Sequence, residues 1–125
     1  MTIEDVAKGL VDLCRQGKSD QAVETYYHPD IVSVEAQGMP DMPAEIRGID
    51  AVKQKHAWWY DHFEVHSEAY DGPYVNGDRF AVFNTIDTTM KATGRRVKMS
   101  EIALYTVQDG KVVHEAFFAK PDDCA

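Results

Sequence analysis

Cysteine is scarce in this sequence of 125 residues, and its two cysteines stand far apart. Cys14 lies in a predicted helix and Cys124 is the second-last residue, so their spacing matches neither a disulfide framework nor a zinc-binding motif. We expect both thiols to be free, which is typical of the reducing cytoplasm. A chain of this length buries about two thirds of its unfolded surface, so a stable domain requires neither a disulfide nor a metal.

Long apolar runs and clusters of positive charge are also missing. No stretch approaches the ~18 apolar residues of a membrane span, and the N-terminal MTIEDVAKGL lacks the basic start and apolar core of a signal peptide. The 13 Lys and Arg residues are scattered and are outnumbered by 21 Asp and Glu residues, which gives a formal charge of -8. We therefore expect neither nucleic acid nor a membrane as a partner.

Several enzyme motifs are absent as well. The sequence contains no nucleophile elbow, no phosphate-binding glycine loop and no dinucleotide fingerprint. His62 and His66 have the spacing of helical metal ligands, but the predicted helix ends between them and no third ligand stands at a suitable spacing. We therefore expect no metal and no cofactor.

The first half of the sequence has the periodicity of helices. Apolar residues recur at helical spacing in residues 3–14, after Thr2 as a possible N-cap. A shorter helix is predicted at 19–26, before Pro29, and a longer one at 52–63. The second half alternates as strands do, with hairpin turns at Asn-Gly and Asp-Gly pairs.

The glycine and prolines of GMPDMP, residues 38–43, predict a loop between the second and third helices. Helices first and long strands afterwards describe one α+β domain over residues 1–125, with the helices packed on one face of the sheet. A sheet of such long strands curls, so a cavity can remain between the sheet and the helices. That cavity is a candidate ligand pocket.

The strand in YYHPDIVSVEAQG raises the question of where Glu35 points. Alternation places Ile31, Ser33, Glu35 and Gln37 on one side of this strand. That side either faces water or faces the pocket. In a pocket, an unpaired carboxylate would destabilise the fold, whereas a carboxylate paired to a cation would stabilise it.

The order of these elements, together with three short motifs, resembles the NTF2-like superfamily and, within it, the SnoaL-like domains. The motifs are Tyr-x-x-x-Asp at 26–30, RG-x-x-A-V at 47–52 and V-x-DGK-V at 107–112. The resemblance covers nearly the whole chain. It implies a cone in which three N-terminal helices pack on a strongly curved antiparallel β-sheet around a mostly apolar pocket, usually in a homodimer.

Within that superfamily, comparison with the ketosteroid isomerases implies roles for individual residues. The proton-shuttling aspartate of those enzymes corresponds to Glu35, and two of their pocket tyrosines correspond to Tyr27 and to His56. Their protonated aspartate falls on Ile102, and the first helix has no tyrosine, so we do not expect steroid isomerisation. We expect Glu35 to be the general base and His56 its partner or the acid. The alternative is a solvated Glu35 and a hydrogen-bonded core histidine.

The same comparison assigns faces to the long strands. It places Asp87 on the concave face with Ala81, Phe83 and Thr85, which makes Asp87 a further catalytic candidate. If this assignment were wrong by one residue, Asp87 and Glu115 would instead point outward. The predicted ligand-binding residues are Tyr27, Trp59, Tyr60, Phe83, Ile102, Glu115 and Phe117. Glu101 and His114 are assigned to the outer face, and the predicted dimer contact there comprises Ala103, Tyr105, Ala116 and Phe118.

These features predict a cofactor-free enzyme that performs acid/base chemistry on an apolar, carbonyl-bearing small molecule. The reaction would be that of an isomerase, cyclase, dehydratase or hydrolase. Two alternatives stay open. One is a protein that binds a hydrophobic ligand without catalysis, and the other is a structural dimerisation domain.

Overall fold

The computed structural model describes residues 1–38 and 42–119. Part of the predicted loop at 38–43 and the predicted free thiol of Cys124 lie outside these residues. The elements are α1 (Ile3–Arg15), α2 (Ser19–Tyr26), β1 (Tyr27–Val34), β2 (Glu45–Arg47), α3 (Ile49–His62), β3 (Phe63–Asn76), β4 (Arg79–Met90), β5 (Arg95–Gln108) and β6 (Lys111–Ala119).

The six strands form one curled, unclosed sheet in the order β2-β1-β6-β5-β4-β3. The strands from β3 to β6 pair antiparallel with their neighbours in sequence, as predicted for the second half of the chain. β1, however, pairs parallel with β6, so the sheet is mixed rather than antiparallel throughout. A parallel pair requires a long connection, and the chain between β1 and β6 supplies it.

The helices follow the local signals in the sequence. Thr2 and Asp5 form a capping box at the start of α1, each side chain accepting from the other residue's backbone N–H at 3.2 Å. The buried face of α1 is apolar, and the helix packs on α2 and on the sheet. α3 begins three residues before the predicted helix, directly after Gly48, whose φ of 92° suits glycine. In the part of the chain that the structure describes, no helix is long and apolar enough to cross a membrane.

The face assignment for β4 and β5 was wrong by one residue. On β4, Phe80, Val82, Asn84 and Thr88 are buried, whereas Phe83 is 42% exposed. Ala81, Thr85 and Asp87 share the outer face with Phe83, because side chains alternate along a strand. On β5 the residues that point inward are Glu101, Ala103 and Tyr105, and Ile102 is 46% exposed.

A bulge between β5 and β6 explains this error. Gln108 pairs with Lys111 at the turn, and a regular ladder continued from there would pair Ile102 with Phe117. The register instead shifts after Val107, and Ala103 is the residue opposite Phe117. One extra residue exchanges the two faces of everything beyond it. The prediction was therefore right for Phe117 on β6 and wrong for β5 and for β4, which pairs with it.

The inner faces of β4 and β5 build the core with α1 and α2. Phe80 stacks on Tyr105 at 4.7 Å between ring centroids, and both side chains are buried. Ala103 and Tyr105, which were predicted to form a dimer contact, thus belong to the interior. Beyond this core, toward the end of the sheet covered by α3, the packing opens into a cavity.

Candidate functional site

The cavity lies between α3 and the concave face of the sheet, and its volume is about 250 Å³. Its walls are largely apolar and rich in aromatic rings. Trp59 stacks on Phe63 at 4.1 Å, which fixes the end of α3 against the start of β3. Further lining residues include Met42, Trp58, Tyr60, Tyr70, Met90, Met99 and Phe117. Such walls suit an apolar molecule of modest size.

A buried carboxylate, Glu115, organises the polar part of the wall. Its side chain is 1% exposed and accepts hydrogen bonds from the Tyr27 hydroxyl and from Ser33 Oγ, the latter at 2.6 Å. β1 supplies both donors, and its parallel pairing places Ser33 directly opposite Glu115 on β6. Burial and the nearby Glu115 raise the pKa of Tyr27, so the phenol stays neutral and remains a donor.

Lys55 brings positive charge from α3 to this cluster. Its Nζ donates to Ser33 Oγ at 2.6 Å and lies 3.1 Å from Glu35 Oε1 and 3.7 Å from Glu115 Oε2. The ammonium also stands 4.6 Å from the centre of the Phe117 ring. Glu35 follows the last residue of β1, where its backbone N–H donates to Ala44 at 2.8 Å. Glu35 therefore lines the cavity as the partner of a cation.

His56 has a different partner from the predicted one. Its Nδ1 lies 2.9 Å from Asp20 Oδ1 on α2, and its side chain is only a lining residue at the edge of the cavity. Neighbouring residues on a helix point about 100° apart, so Lys55 and His56 cannot both face Glu35. The buried residues of α3 are Val52 and Lys55, so its inward face passes through Lys55 and not through His56.

A second polar pair, Glu101 and Asn84, lies deeper on β5 and β4. The two residues are directly opposite each other and both line the cavity. Burial, followed by repulsion from Glu35, raises the pKa of Glu101 to about 7, although Lys55 and a hydrogen bond from Asn84 act in the other direction. Asn84 Oδ1 is buried and has no hydrogen-bond partner among the described residues, and neither has Trp58 Nε1.

The remaining predicted site residues divide between the two faces of the sheet. Tyr27, Trp59, Tyr60, Glu115 and Phe117 line the cavity. Phe83, Ile102 and Asp87 do not, because they alternate with the buried residues of β4 and β5 and so lie on the outer face. Asp87 forms a two-bond ion pair with the exposed Arg96, at 2.7 and 2.8 Å, which lowers the pKa of the carboxyl below its ordinary value.

Sequence reasoning missed several polar residues of the wall, among them Lys55, Asn84 and Glu101. Lys55 could have been found, because it stands one helical turn after Val52 on an otherwise apolar stripe. Asn84 and Glu101 gave no such signal, since alternation alone does not say which face of β4 and β5 points inward. Cys14 also lines the cavity, but burial raises its pKa to about 11, so the thiol is a poor nucleophile. Within residues 1–38 and 42–119, no three His, Cys, Asp or Glu side chains are grouped to hold a metal.

Comparison with known proteins gives one family and one fold. The model of the SnoaL-like domain family matches residues 1–119. A candidate SnoaL-like polyketide cyclase from Mesorhizobium loti, which also bears the description carbohydrate phosphatase, is 46% identical, with 94% of this chain and 99% of that one covered and a TM-score of 0.88. No curated protein matches the chain.

Two further solved structures share the fold at low identity. A candidate isomerase from Bacillus subtilis is 16% identical, with coverage of 97% of this chain and 91% of that one and a TM-score of 0.78. An NTF2-like protein from Burkholderia thailandensis is 18% identical, with 90% and 87% covered and a TM-score of 0.78. The predicted fold class, three helices on a curled α+β sheet of the NTF2-like type, is confirmed.

We expect Glu115→Gln to destabilise the protein by about 3 kcal/mol. The neutral amide removes a counter-charge of the buried Lys55 ammonium, and its NH2 group cannot accept hydrogen bonds from the hydroxyls of Tyr27 and Ser33. Glu35→Gln is the matched change at the other carboxylate. It should cost less, about 1 kcal/mol, since the Glu35 side chain is 33% exposed. Urea unfolding of both variants measures the difference. Equal losses, or stabilisation by either change, would contradict this account of the network.

The raised pKa of Glu101 predicts a pH-dependent stability. The folded protein holds this proton more tightly than the unfolded chain, so the stabilising contribution is present below about pH 4.5 and is lost as the pH rises toward 7. Glu101→Gln cannot ionise, and above pH 7 it should be more stable than wild type by roughly 2 kcal/mol. Thermal midpoints measured from pH 4 to pH 8 test this sign.

The control for this measurement is Asp87→Asn, which removes a carboxylate whose pKa is lowered by Arg96. Its stability difference from wild type should not vary above about pH 5, since that carboxyl is ionised throughout that range. A Glu101→Gln difference that is equally flat between pH 4 and pH 8 would show that Glu101 titrates normally.

Proposed function

Because the chain belongs to the SnoaL-like domain family, we propose that it is an enzyme that moves a proton on an apolar, carbonyl-bearing small molecule, with Glu35 as the general base. The family and the fold are those of small-molecule-binding, enzyme-like domains. The observation that carries the proposal is the Glu35–Lys55 pair, with 3.1 Å between Oε1 and Nζ, at the wall of a largely apolar cavity.

This pair combines the two groups that enolisation of a carbonyl compound requires. The Glu35 carboxylate takes a proton from the carbon next to the carbonyl, and the electron pair of that C–H bond forms the carbon–carbon double bond of an enolate. The carbonyl π pair moves to oxygen, where the Lys55 ammonium stabilises the negative charge. Return of the proton to another carbon gives an isomer, and attack of the enolate carbon on a second carbonyl closes a ring.

The rest of the network supports Lys55 in this role. Ser33 Oγ accepts a hydrogen bond from Lys55 Nζ at 2.6 Å and donates one to Glu115. Glu115 also accepts a hydrogen bond from the Tyr27 hydroxyl. The hydrogen bond to Ser33 and the fixed counter-charge of Glu115 keep the ammonium in one position before any ligand binds, which is how preorganised electrostatic stabilisation works. The Mesorhizobium loti protein is described as a cyclase, which is consistent with the ring-closing branch.

Exchange of carbon-bound hydrogen for deuterium tests the proposal without knowledge of the natural substrate. Acetophenone, an apolar methyl ketone, should incorporate deuterium faster in the presence of wild-type protein than in buffer alone, as followed by NMR. Glu35→Gln should lower that enhancement by about a hundredfold or more, since a positioned base typically contributes that much. Asp87→Asn, outside the cavity, should leave the enhancement unchanged.

Binding of a hydrophobic ligand without catalysis is the alternative, and the aromatic lining of the cavity favours it, because such walls hold an apolar molecule without any proton transfer. Acetophenone that binds in the cavity but exchanges no faster than in buffer would support this alternative. Enhanced exchange that survives Glu35→Gln would instead refute Glu35 as the general base.

We also propose a homodimer formed through the outer face of the sheet. Phe83, Ile102 and Phe118 are paired across β4, β5 and β6 and form an apolar row, in which they are 42%, 46% and 56% exposed. Monomeric proteins seldom leave such a contiguous row in water. Of the dimer contacts predicted from the sequence, Phe118 belongs to this row, whereas Ala103 and Tyr105 are buried and do not.

Phe118→Glu should convert the dimer to a monomer, because it introduces a charge into the centre of an apolar contact. Gln54→Glu adds the same charge on the exposed side of α3 and should leave the dimer intact. Light scattering at micromolar concentrations measures both masses. A wild-type protein that is monomeric throughout that range refutes the proposal.

A further inference from the structure

The cavity wall carries more negative charge than Lys55 can neutralise. The carboxylates of Glu35, Glu68, Glu101 and Glu115 all line the cavity. Lys55 is paired with Glu35 and Glu115, at 3.1 and 3.7 Å. Glu68 accepts a hydrogen bond from the neutral Tyr70 hydroxyl at 2.8 Å. In the described part of the chain, no Lys, Arg or His nitrogen lies within 4.0 Å of the carboxylates of Glu68 and Glu101.

An independent observation points to the same part of the wall. Asn84, directly opposite Glu101, is only 7% exposed, and its Oδ1 accepts no hydrogen bond from a described residue. A buried amide oxygen without a donor costs about 1–3 kcal/mol. Two hydrogen-bond acceptors thus stand side by side, and neither has a cationic partner. The raised pKa of Glu101 agrees with this, because burial and repulsion from Glu35 make additional negative charge unfavourable there.

We propose that the ligand of this cavity carries a protonated amine, which binds at Glu101 and Asn84 while its apolar frame packs against Trp59 and Phe117. The inference rests on the proposed function to the extent that a small apolar molecule occupies the cavity. It adds the charge of that molecule and the two residues that select it.

A protonated amine satisfies both acceptors at once. Its N–H groups can donate to the Glu101 carboxylate and, after rotation of the amide, to Asn84 Oδ1, and its charge offsets the unpaired carboxylate. Aromatic faces also favour cations, as the position of Lys55 over Phe117 illustrates. An alcohol offers a donor without the charge, and a carboxylate meets repulsion from Glu35, Glu68 and Glu115. The rival explanation is internal: a neutral Glu101 donates its own proton to the amide oxygen, and the wall then has no preference for a cation.

Three probes of similar size separate these possibilities: phenethylamine, phenethyl alcohol and phenylpropanoate. Binding to the full-length protein is followed by NMR titration of the backbone amides of the cavity wall. We expect the amine to bind at least about tenfold more tightly than the alcohol, as a charge-assisted contact should. The carboxylate should bind most weakly. The affinity of the amine should rise several-fold between about pH 6 and pH 8, as Glu101 ionises, and the affinity of the alcohol should not.

Glu101→Gln should remove the preference for the amine and its pH dependence. Asp87→Asn changes the net charge of the protein by the same amount on the outer face and should leave both intact. Equal binding of the amine and the alcohol, including binding of neither, overturns the proposal. So does a preference that survives Glu101→Gln, or one that Asp87→Asn abolishes to the same extent, since general attraction by an acidic protein would then explain it. An amine that binds as expected, with no deuterium exchange dependent on Glu35, would refute the enzymatic function alone.

Discussion

The ammonium of Lys55, buried between α3 and the sheet, is the interaction on which the arrangement of the site depends. A lysine that is 7% exposed would be strongly destabilising without compensation, because transfer of an isolated charge from water to the interior is expensive. Glu35, Ser33 and Glu115 supply that compensation. Ser33 is the second-last residue of β1, Glu35 directly follows that strand, and Glu115 lies in β6. The ammonium therefore joins a helix to the two strands that form the parallel pair of the sheet. Any change in the packing of α3 would separate these charges.

The two carboxylates around Lys55 have different environments, and this difference suits different roles. Glu115 is buried and receives hydrogen bonds from Tyr27 and Ser33, so its function is to fix the position of the ammonium. Glu35 lies at the end of its strand and retains a third of its side-chain exposure, so it can meet a ligand. Glu101 differs from both. Among the described residues no cation lies within 4.0 Å of it, and burial holds its pKa near neutrality, where a neighbouring charge can change its protonation.

The bulge between β5 and β6 decides which residues take part. With a regular ladder continued from the buried pair of Val107 and Val112, His114 and Phe118 would face inward, and Glu115 and Phe117 would lie on the outer face. The extra residue on β6 brings Glu115 and Phe117 onto the inner face with Glu101 and Asn84, and it places Phe118 on the outer face beside Ile102 and Phe83. A single irregularity thus determines both the charge of the cavity wall and the apolar character of the opposite surface.

The sequence alone determined the elements and their order. Helical periodicity, the capping residues of α1 and the turn pairs of the hairpins are local signals, and local signals can be read without knowledge of distant contacts. Alternation likewise placed Ser33 and Glu35 on one side of their strand, although it left open whether that side faces the pocket. The tertiary structure decided the partners. Whether Glu35 meets His56 or Lys55 depends on the rotation of α3 about its axis, a matter of one residue in the helical stripe. Alternation along β4 and β5 does not say whether Asp87 or Glu101 faces the cavity, because that depends on which face of the sheet the helices cover. The one-residue bulge then decides which side chains of β6 share that face.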